Sequence, residues 1–335
     1  NVGCPIAEMA GDGSFVITKH PGTGGLVSVG TVTAQLLYEI REPRYLTPDV
    51  AARFDTIDIA QDGPDRVRVR GVGGEPPPAT TKVCINNLGG YRNAMTIVLT
   101  GLDIEKKRQI FEEAFFDSIG GRDQFAVTDV QLIRSDKENP ATNEEAFAYL
   151  RLSVMDPDAQ KVARFSARIV ELALANIPGF TATAPPAKGT PAIFHWPTLV
   201  SGRHIRQTVF VGGEEFTVAS VEPEPGAATP QPRAMAIPPV PAGRTVPVPL
   251  GRLFATRSGD KGGNANLGVW GKTAERLALL QACLTTEKLK ELLPEMEGYE
   301  IERYEIPNLL AVNFYMRGLL GEGVAASVRS DPQAK

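Results

Sequence analysis

The stretch that decides the fold runs Met95-Thr-Ile-Val-Leu-Thr100 and then, after Gly-Leu-Asp, Ile104-Glu-Lys-Lys-Arg-Gln-Ile-Phe-Glu-Glu-Ala-Phe-Phe-Asp-Ser-Ile119. The first run has the apolar, partly β-branched character of a strand. The second puts Ile104, Ile110, Phe111, Ala114 and Phe115 on the inward side of an amphipathic helix. Upstream, Lys82 to Asn86 reads as another strand. Downstream, Phe125 to Ile133 and Ala146 to Met155 read as strands, and Ala159 to Ile177 as a long helix ended by Pro178-Gly179. Asp156-Pro-Asp supplies carboxylates that suit the N-terminus of that helix, as caps rather than acids for catalysis. This β-α-β-β-α order is the split β-α-β arrangement of ferredoxin-like sandwiches. The expected fold class is therefore α/β of the α+β kind, multidomain, with a ferredoxin-like middle sandwich at 82–180.

Toward the N-terminus, Phe15-Val-Ile-Thr reads as a short strand and His20-Pro-Gly-Thr-Gly-Gly as a tight loop. Thr31-Val-Thr-Ala-Gln-Leu-Leu-Tyr-Glu-Ile then reads as a helix capped by Thr31 or Ser28. Glycines before a helix N-terminus make Thr23, Gly24 and Gly25 a second candidate anion site, against the plainer reading of a strand-to-helix connection. Phe54 to Ile59 and Arg66 to Val72 read as strands, the latter with Arg66, Arg68 and Arg70 on a solvated edge face. His195 beside Trp196 suits a packed or hydrogen-bonded histidine, and neither it nor His204 has the neighbours of a metal site. Residues 222–245, dense in proline, read as an extended linker. The expected division is 1–221, a linker at 222–245, and a separate C-terminal α/β sandwich at 246–335.

The densest chemistry lies in that last part, at Arg257-Ser-Gly-Asp-Lys-Gly-Gly-Asn-Ala-Asn-Leu-Gly268, expected as a loop after a strand from Val248 to Ala255. Gly259, Gly262 and Gly263 can take positive φ and turn N–H groups into one concavity, while Arg257 and Lys261 add charge, so an anion is the natural guest. The plain alternative is a solvated turn. Gly271-Lys272-Thr273 does not complete a nucleotide phosphate loop, because Asn266 stands where that pattern needs glycine. Helices are expected at Ala274 to Leu284 and Glu287 to Met296. Strands are expected at Glu300 to Tyr304, Leu309 to Tyr315 and Ala325 to Arg329, with Asn313 turned toward the signature stretch or a partner surface.

The chain has 335 residues, 42% hydrophobic and 22% charged, enough for two or three soluble domains. A net charge of −4 gives no nucleic-acid surface, and no apolar run reaches membrane-spanning length. Three scattered cysteines, Cys4, Cys84 and Cys283, fit a reducing compartment, which is the cytoplasm or, in a eukaryote, the mitochondrial matrix. With no initiator Met and a strand almost at once, the chain reads as a piece of something longer.

The signature stretch, with Tyr304-Glu-Ile-Pro-Asn-Leu, Val312-Asn-Phe, Leu319-Leu-Gly-Glu-Gly and Arg329-Ser-Asp-Pro-Gln-Ala-Lys, closely resembles the C-terminal domain of the acyclic terpene utilisation protein A family. Gly3-Cys-Pro-Ile-Ala-Glu, Gly22-Thr-Gly-Gly, Thr33-Ala-Gln-Leu-Leu-Tyr-Glu-Ile and Tyr45-Leu-Thr-Pro-Asp-Val resemble its N-terminal region. The resemblance implies a further α/β segment ahead of Asn1, and a terminal Gly-Lys that stands here as Ala334-Lys335. It also implies catabolism of citronellol, geraniol and branched acids beside acyl-CoA carboxylases and dehydrogenases. It carries no reaction and no catalytic residue with it.

Two functional readings follow. The first is a non-redox enzyme or enzyme subunit acting on acyl-CoA thioesters. Arg257, Ser258, Gly262, Gly263, Asn264 and Asn266 would bind the ligand, the asparagines reaching a thioester carbonyl, and Asp260 and Lys261 would be catalytic, with Tyr304 behind them. It expects no cofactor, since no Gly-x-Gly-x-x-Gly lies between a strand and a helix. The alternative is a non-catalytic assembly or regulatory protein of an acyl-CoA carboxylase-type complex. Expected partners are an acyl-CoA or other small anion, with a homo-oligomer or such a carboxylase, and neither nucleic acid nor membrane.

Overall fold

The structure is a computed structural model that describes residues 4–174, 177–219, 228–240, 242–244 and 246–335. The chain folds into two compact units. One comprises Asn1–Cys84, Pro197–Gly321 and Gln333–Lys335, the other Ile85–Trp196 and Glu322–Pro332.

In chain order the first elements are β1 (Ile6–Met9), β2 (Phe15–Thr18), α1 (Val29–Leu36), β3 (Arg44–Leu46), β4 (Ala51–Arg53), β5 (Asp58–Gln61), β6 (Val67–Arg70) and β7 (Gly73–Glu75). Then come β8 (Thr80–Thr100), α2 (Ile104–Ile119), β9 (Val127–Arg134), β10 (Phe147–Asp156), α3 (Ala159–Ala173), β11 (Phe180–Ala182) and β12 (Thr190–Ser201). A hairpin, β13 (Gln207–Val211) and β14 (Glu214–Val218), precedes the C-terminal β15 (Ala255–Lys261), β16 (Asn264–Trp270), α4 (Ala274–Cys283), α5 (Thr286–Leu292), β17 (Ile301–Ile306) and β18 (Ala311–Met316).

The second unit has the strand order β11-β8-β10-β9, with β12 also paired to β8. For a β-α-β-β-α-β chain this is the ferredoxin-like order expected from the sequence. Period-two alternation in β10 turns Ala148, Leu150, Leu152 and Val154 toward α2 and α3. There Phe165 lies edge-on to both Phe115 and Phe125. Gly120, in the left-handed region at φ 91°, ends α2, and the Asp158 carboxylate accepts from Gln160 N and Lys161 N to start α3. Residues 175 and 176, within the helix expected to reach Ile177, lie outside the described residues.

One difference from the sequence reading is instructive. Lys82 to Asn86 and Met95 to Thr100 belong to a single strand, β8, because Gly89 continues it instead of breaking it. A Cβ on Gly89 would lie 2.5 Å from the Phe194 ring, so glycine is there to let that ring lie on the strand.

In the first unit, β1-β2-β6-β5 and β3-β4-β7 form two small antiparallel sheets. Phe54–Thr56 is a 3-10 turn rather than the start of a strand. Strand β6 is internal, not an edge, and its Arg68 and Arg70, with Arg66 just before it, are paired with Asp62, Asp58 and Glu8 respectively. The C-terminal sheet runs β15-β16-β18-β17, two hairpins joined by α4 and α5, which cover one face with Leu280, Leu284 and Leu289 against Val269, Val312 and Phe314.

Two expected strands are absent. Val248 to Ala255 instead holds a 3-10 turn at Leu250–Arg252, since Pro247 and Pro249 have no N–H to donate to a ladder. Ala325 to Arg329 is non-strand, its Ser327 and Val328 carbonyls being taken by the side chains of Arg92 and Arg151 rather than by another strand. Of the expected linker at 222–245, residues 222–227, 241 and 245 lie outside the described residues. Its described remainder has no regular secondary structure.

Truncating Phe165, which is 1% exposed, removes the contact shared by both helices and the sheet. Phe165→Ala should cost about 3–5 kcal/mol in urea unfolding of the full chain. A loss under about 1 kcal/mol would place the core elsewhere.

Candidate functional site

The Arg257–Gly268 stretch is a β-hairpin, not a loop. Arg257 opposes Gly268, Gly259 opposes Asn266, and Lys261 opposes Asn264 across the ladder. Of the three glycines expected at positive φ only Gly262 has it, at 65°, in the two-residue turn Gly262-Gly263. Gly259 and Gly268 are needed for a different reason. A Cβ on Gly259 would fall on the Tyr38 ring, and one on Gly268 would lie 2.7 Å from Leu37 Cβ. They make room for the backbone that leaves α1.

That backbone, residues 37–41, lies across all four C-terminal strands. Tyr38 sits on β15. Fully buried Asn266 of β16 donates Nδ2 to Leu37 O at 2.7 Å and accepts from Glu39 N at 2.9 Å. Fully buried Asn313 of β18 donates to Arg41 O at 2.8 Å and Ile40 O at 3.3 Å, and accepts from Asn266 Nδ2 at 2.9 Å. Arg41 then forms a two-pronged bond to Glu302 of β17. Glu302 also accepts from Tyr304 and Arg317. Burial raises the Glu302 pKa, but Arg41 and Tyr304 outweigh it and hold the carboxyl below its usual range. Burial and that same hydrogen bond raise the Tyr304 phenol, which stays a protonated donor to Glu302. Asn313 thus faces the signature stretch, as expected. Asn266 has no solvent-facing surface and its amide is spent inside the chain, so it cannot reach a thioester carbonyl.

Alternation separates the remaining residues. Arg257, Lys261 and Asn264 share the face crossed by 37–41, whereas Ser258 and Asp260 point to the helix-covered side. Asp260 is therefore not brought to Lys261, and its Oδ1 is buried without a hydrogen-bond partner. Asn264 is engaged twice, its Oδ1 accepting from Gly318 N in the turn after β18 at 2.8 Å and its Nδ2 donating to Lys261 O across its own turn at 3.4 Å.

On the shared face, the Arg257 guanidinium lies 4.0 Å above the centroid of Tyr38, and its Nε is buried without a partner. The Lys335 ammonium lies 4.2 Å from the same ring and donates to the Tyr38 hydroxyl. Half-buried Lys261 lies 5.3 Å from the Tyr45 ring centroid. Its pKa is lowered by burial and by repulsion from Lys82, with Glu39 pulling the other way. The sequence reading missed Tyr38, Tyr45 and Lys82. Tyr38 stood within the helix expected to run on to Ile40, whereas α1 ends at Leu36, and Tyr45 in a stretch singled out only for a family likeness.

The Thr23-Gly24-Gly25 loop has other partners. Lys19 Nζ donates to Thr23 O at 2.5 Å, and Thr23 Oγ1 to His20 O at 2.7 Å. Ser28, not Thr31, caps α1 and forms a capping box with Thr31, while Val29 N donates to Gln61. The plain reading of a strand-to-helix connection describes this geometry. His195 Nδ1 lies 2.5 Å from Asn86 Oδ1, as suits a hydrogen-bonded histidine. Among the described residues no group of three or more His, Cys, Asp or Glu side chains could hold a metal ion, and no helix is long and apolar enough to cross a membrane.

Comparison with known proteins gives two matches. The model of the acyclic terpene utilisation family protein AtuA matches residues 1–211, and that of the AtuA ferredoxin-like domain matches residues 248–335. No curated protein and no solved structure shows a significant match to the chain.

Asn266→Ala would leave Leu37 O, Glu39 N–H and Asn313 without their buried partner. It should cost roughly 2–4 kcal/mol in chemical denaturation, with a double-mutant cycle against Asn313→Ala showing strong coupling. Additive losses would mean the two asparagines act separately.

Proposed function

The chain belongs to the acyclic terpene utilisation AtuA family, and from that premise we propose a non-redox enzyme, or a subunit of one, that acts on acyl-CoA thioesters of branched or terpenoid acids. The observation that carries this reading is positive charge with no ion-paired carboxylate, Glu39 offsetting it only at a distance. Arg257 and Lys261 share one sheet face, Lys82 adds to it, and among the described residues no carboxylate forms an ion pair with any of the three. A cation that is half-buried beside another cation is destabilised in its charged form, and an anion placed there relieves it. Two tyrosine rings flank the cluster, so a ligand with phosphates and a planar base or an apolar chain meets both charge and aromatic surface. The family's tie to acyclic terpene utilisation supports the thioester as that ligand. Lys261 and Arg257 then serve as anchors for the anionic end, and Asp260, on the other face, has no part in it.

A specific observation favours the alternative, a non-catalytic assembly or regulatory protein for an acyl-CoA carboxylase-type complex or a homo-oligomer. The hairpin β13–β14 forms a sheet of its own, with Phe210 70% and Phe216 48% exposed. Two strands alone are marginal in water, so a covered state suits this element.

Thermal unfolding with geranyl and short branched acyl-CoA thioesters, against free CoA, separates the readings. A ligand at a hundred times its Kd should add about 2.7 kcal/mol of stability. That gain should vanish in Lys261→Met. No gain with any ligand would favour the assembly reading.

The pH dependence has a definite sign. Since the folded-state pKa of Lys261 is lowered, the unfolded chain binds the extra proton between that value and the ordinary lysine value. Stability therefore rises with pH across this window and carries the full penalty below it. Lys261→Met should flatten that slope and raise stability at neutral pH. Anion binding should run the opposite way, weakening as the ammonium is lost. A variant whose stability–pH curve parallels wild type would remove Lys261 from the argument.

A further inference from the structure

The second unit holds a half-open cavity of about 380 Å³ on the face of its sheet that the helices leave open, bordered by Ser327 to Ser330 and Pro332. Alternation puts Arg151 and Ser153 of β10 on that face, beside Arg92 and Ala94 of β8. Lys188, Arg329 and Ser330 complete the lining that matters here. Four cations therefore line one cavity whose wall contains no carboxylate. Asp129 on β9 faces Arg151 Nη1 only at 3.8 Å, a loose ion pair beyond hydrogen-bond distance, and its Oδ2 is buried without a hydrogen bond.

The two inner arginines are held in place without being used up. Arg92 Nη1 donates to Ser327 O at 2.5 Å and Val324 O at 3.3 Å, and Arg151 Nη1 donates to Val328 O at 2.7 Å. Their Nε and Nη2 donors have no partner among the described residues. Neutral carbonyls fix each guanidinium but do not balance its charge. Burial accordingly pushes the Arg151 pKa down, with Asp129 opposing and Arg92 reinforcing that shift.

The second, independent observation is Ser153. It is 1% exposed, it lines the cavity, and its Oγ is cut off from solvent with no hydrogen-bond partner. A buried hydroxyl left unpaired costs about 1–3 kcal/mol, and alanine would fill a strand position as well. A hydroxyl donor together with guanidinium donors on one wall is the donor set of a phosphate site, because a tetrahedral dianion accepts from both at once. A volume of this order also admits a small molecule on the phosphate.

We propose that this cavity binds the phosphate group of a small molecule, held by Arg92, Arg151, Lys188 and the Ser153 hydroxyl. The proposal is separate from the hairpin face and does not depend on it.

Calorimetric titration of the full chain with inorganic phosphate and with adenosine monophosphate, at fixed ionic strength against chloride, tests it. Saturable binding should appear with at least one probe. A tighter Kd for the monophosphate would mark an organic ligand, and equal values inorganic phosphate. Ser153→Ala should weaken binding at least ~10-fold while melting at or above wild type, since it deletes only an unpaired hydroxyl. Arg151→Met should weaken it further. No saturable binding by either probe, or affinity unchanged in Ser153→Ala, overturns the proposal, and the first variant decides even if Arg151→Met fails to fold.

Discussion

The crossing of residues 37–41 over the C-terminal sheet is the constraint on which the first unit depends. A bare backbone segment laid on a sheet face brings unpaired carbonyls and N–H groups into a buried place, where each one left alone costs free energy. Asn266 and Asn313 meet this by offering both a donor and an acceptor from side chains short enough to stay within the interface. Gly259 and Gly268 supply the space. Leu37 and Ile40 then bury their side chains with Trp270, Ile306, Leu309 and Ala311 in a core of their own. Glu39, a non-glycine residue held at φ 59°, keeps the left-handed turn that points the chain across the strands, and its N–H donates to Asn266 Oδ1.

Much of the fold is legible because it is written locally. The α2 helix has both ends where its apolar spacing and Gly120 put them, and the ferredoxin-like order follows from counting strands and helices. What the sequence hides is pairing at a distance. The α1 end and the signature hairpin are each conspicuous, yet Glu39 and Asn266 are 227 residues apart, and no local pattern says that one lies on the other. The same gap explains the misreading of glycines. In a linear pattern Gly259 looks like a residue awaiting positive φ, whereas its real requirement is the absence of a Cβ under Tyr38. Gly89 in β8 repeats the lesson with Phe194.

The candidate site was legible in part, for a similar reason. Arg257 and Lys261 stand out as cations four residues apart, an even multiple of the two-residue period of a strand, so a hairpin puts them on one face. Asp260 stands out equally, but a one-residue spacing sends it through the sheet to the side packed by α4 and α5. Once the stretch is a ladder rather than a loop, an acid–cation pair at adjacent positions is lost and a two-cation face is gained. Tyr38 and Tyr45 complete that face from a region that no local pattern ties to it.

This division also separates what the signature residues do for structure from what remains for a ligand. Asn266, Asn313, Gly259 and Gly268 are accounted for by the crossing segment, Asn264 by the turn it steadies, and Tyr304 by Glu302. None of these needs a ligand to explain its presence. Arg257 and Lys261 are different, because packing gives them aromatic neighbours but no ion-paired carboxylate, and burial and Lys82 outweigh the distant pull of Glu39 on Lys261. Folding alone would favour a neutral side chain at Lys261, as it would at Ser153 in the other unit, where an unpaired hydroxyl sits among arginines. In both places the polar group that stability would discard is the one that points to function.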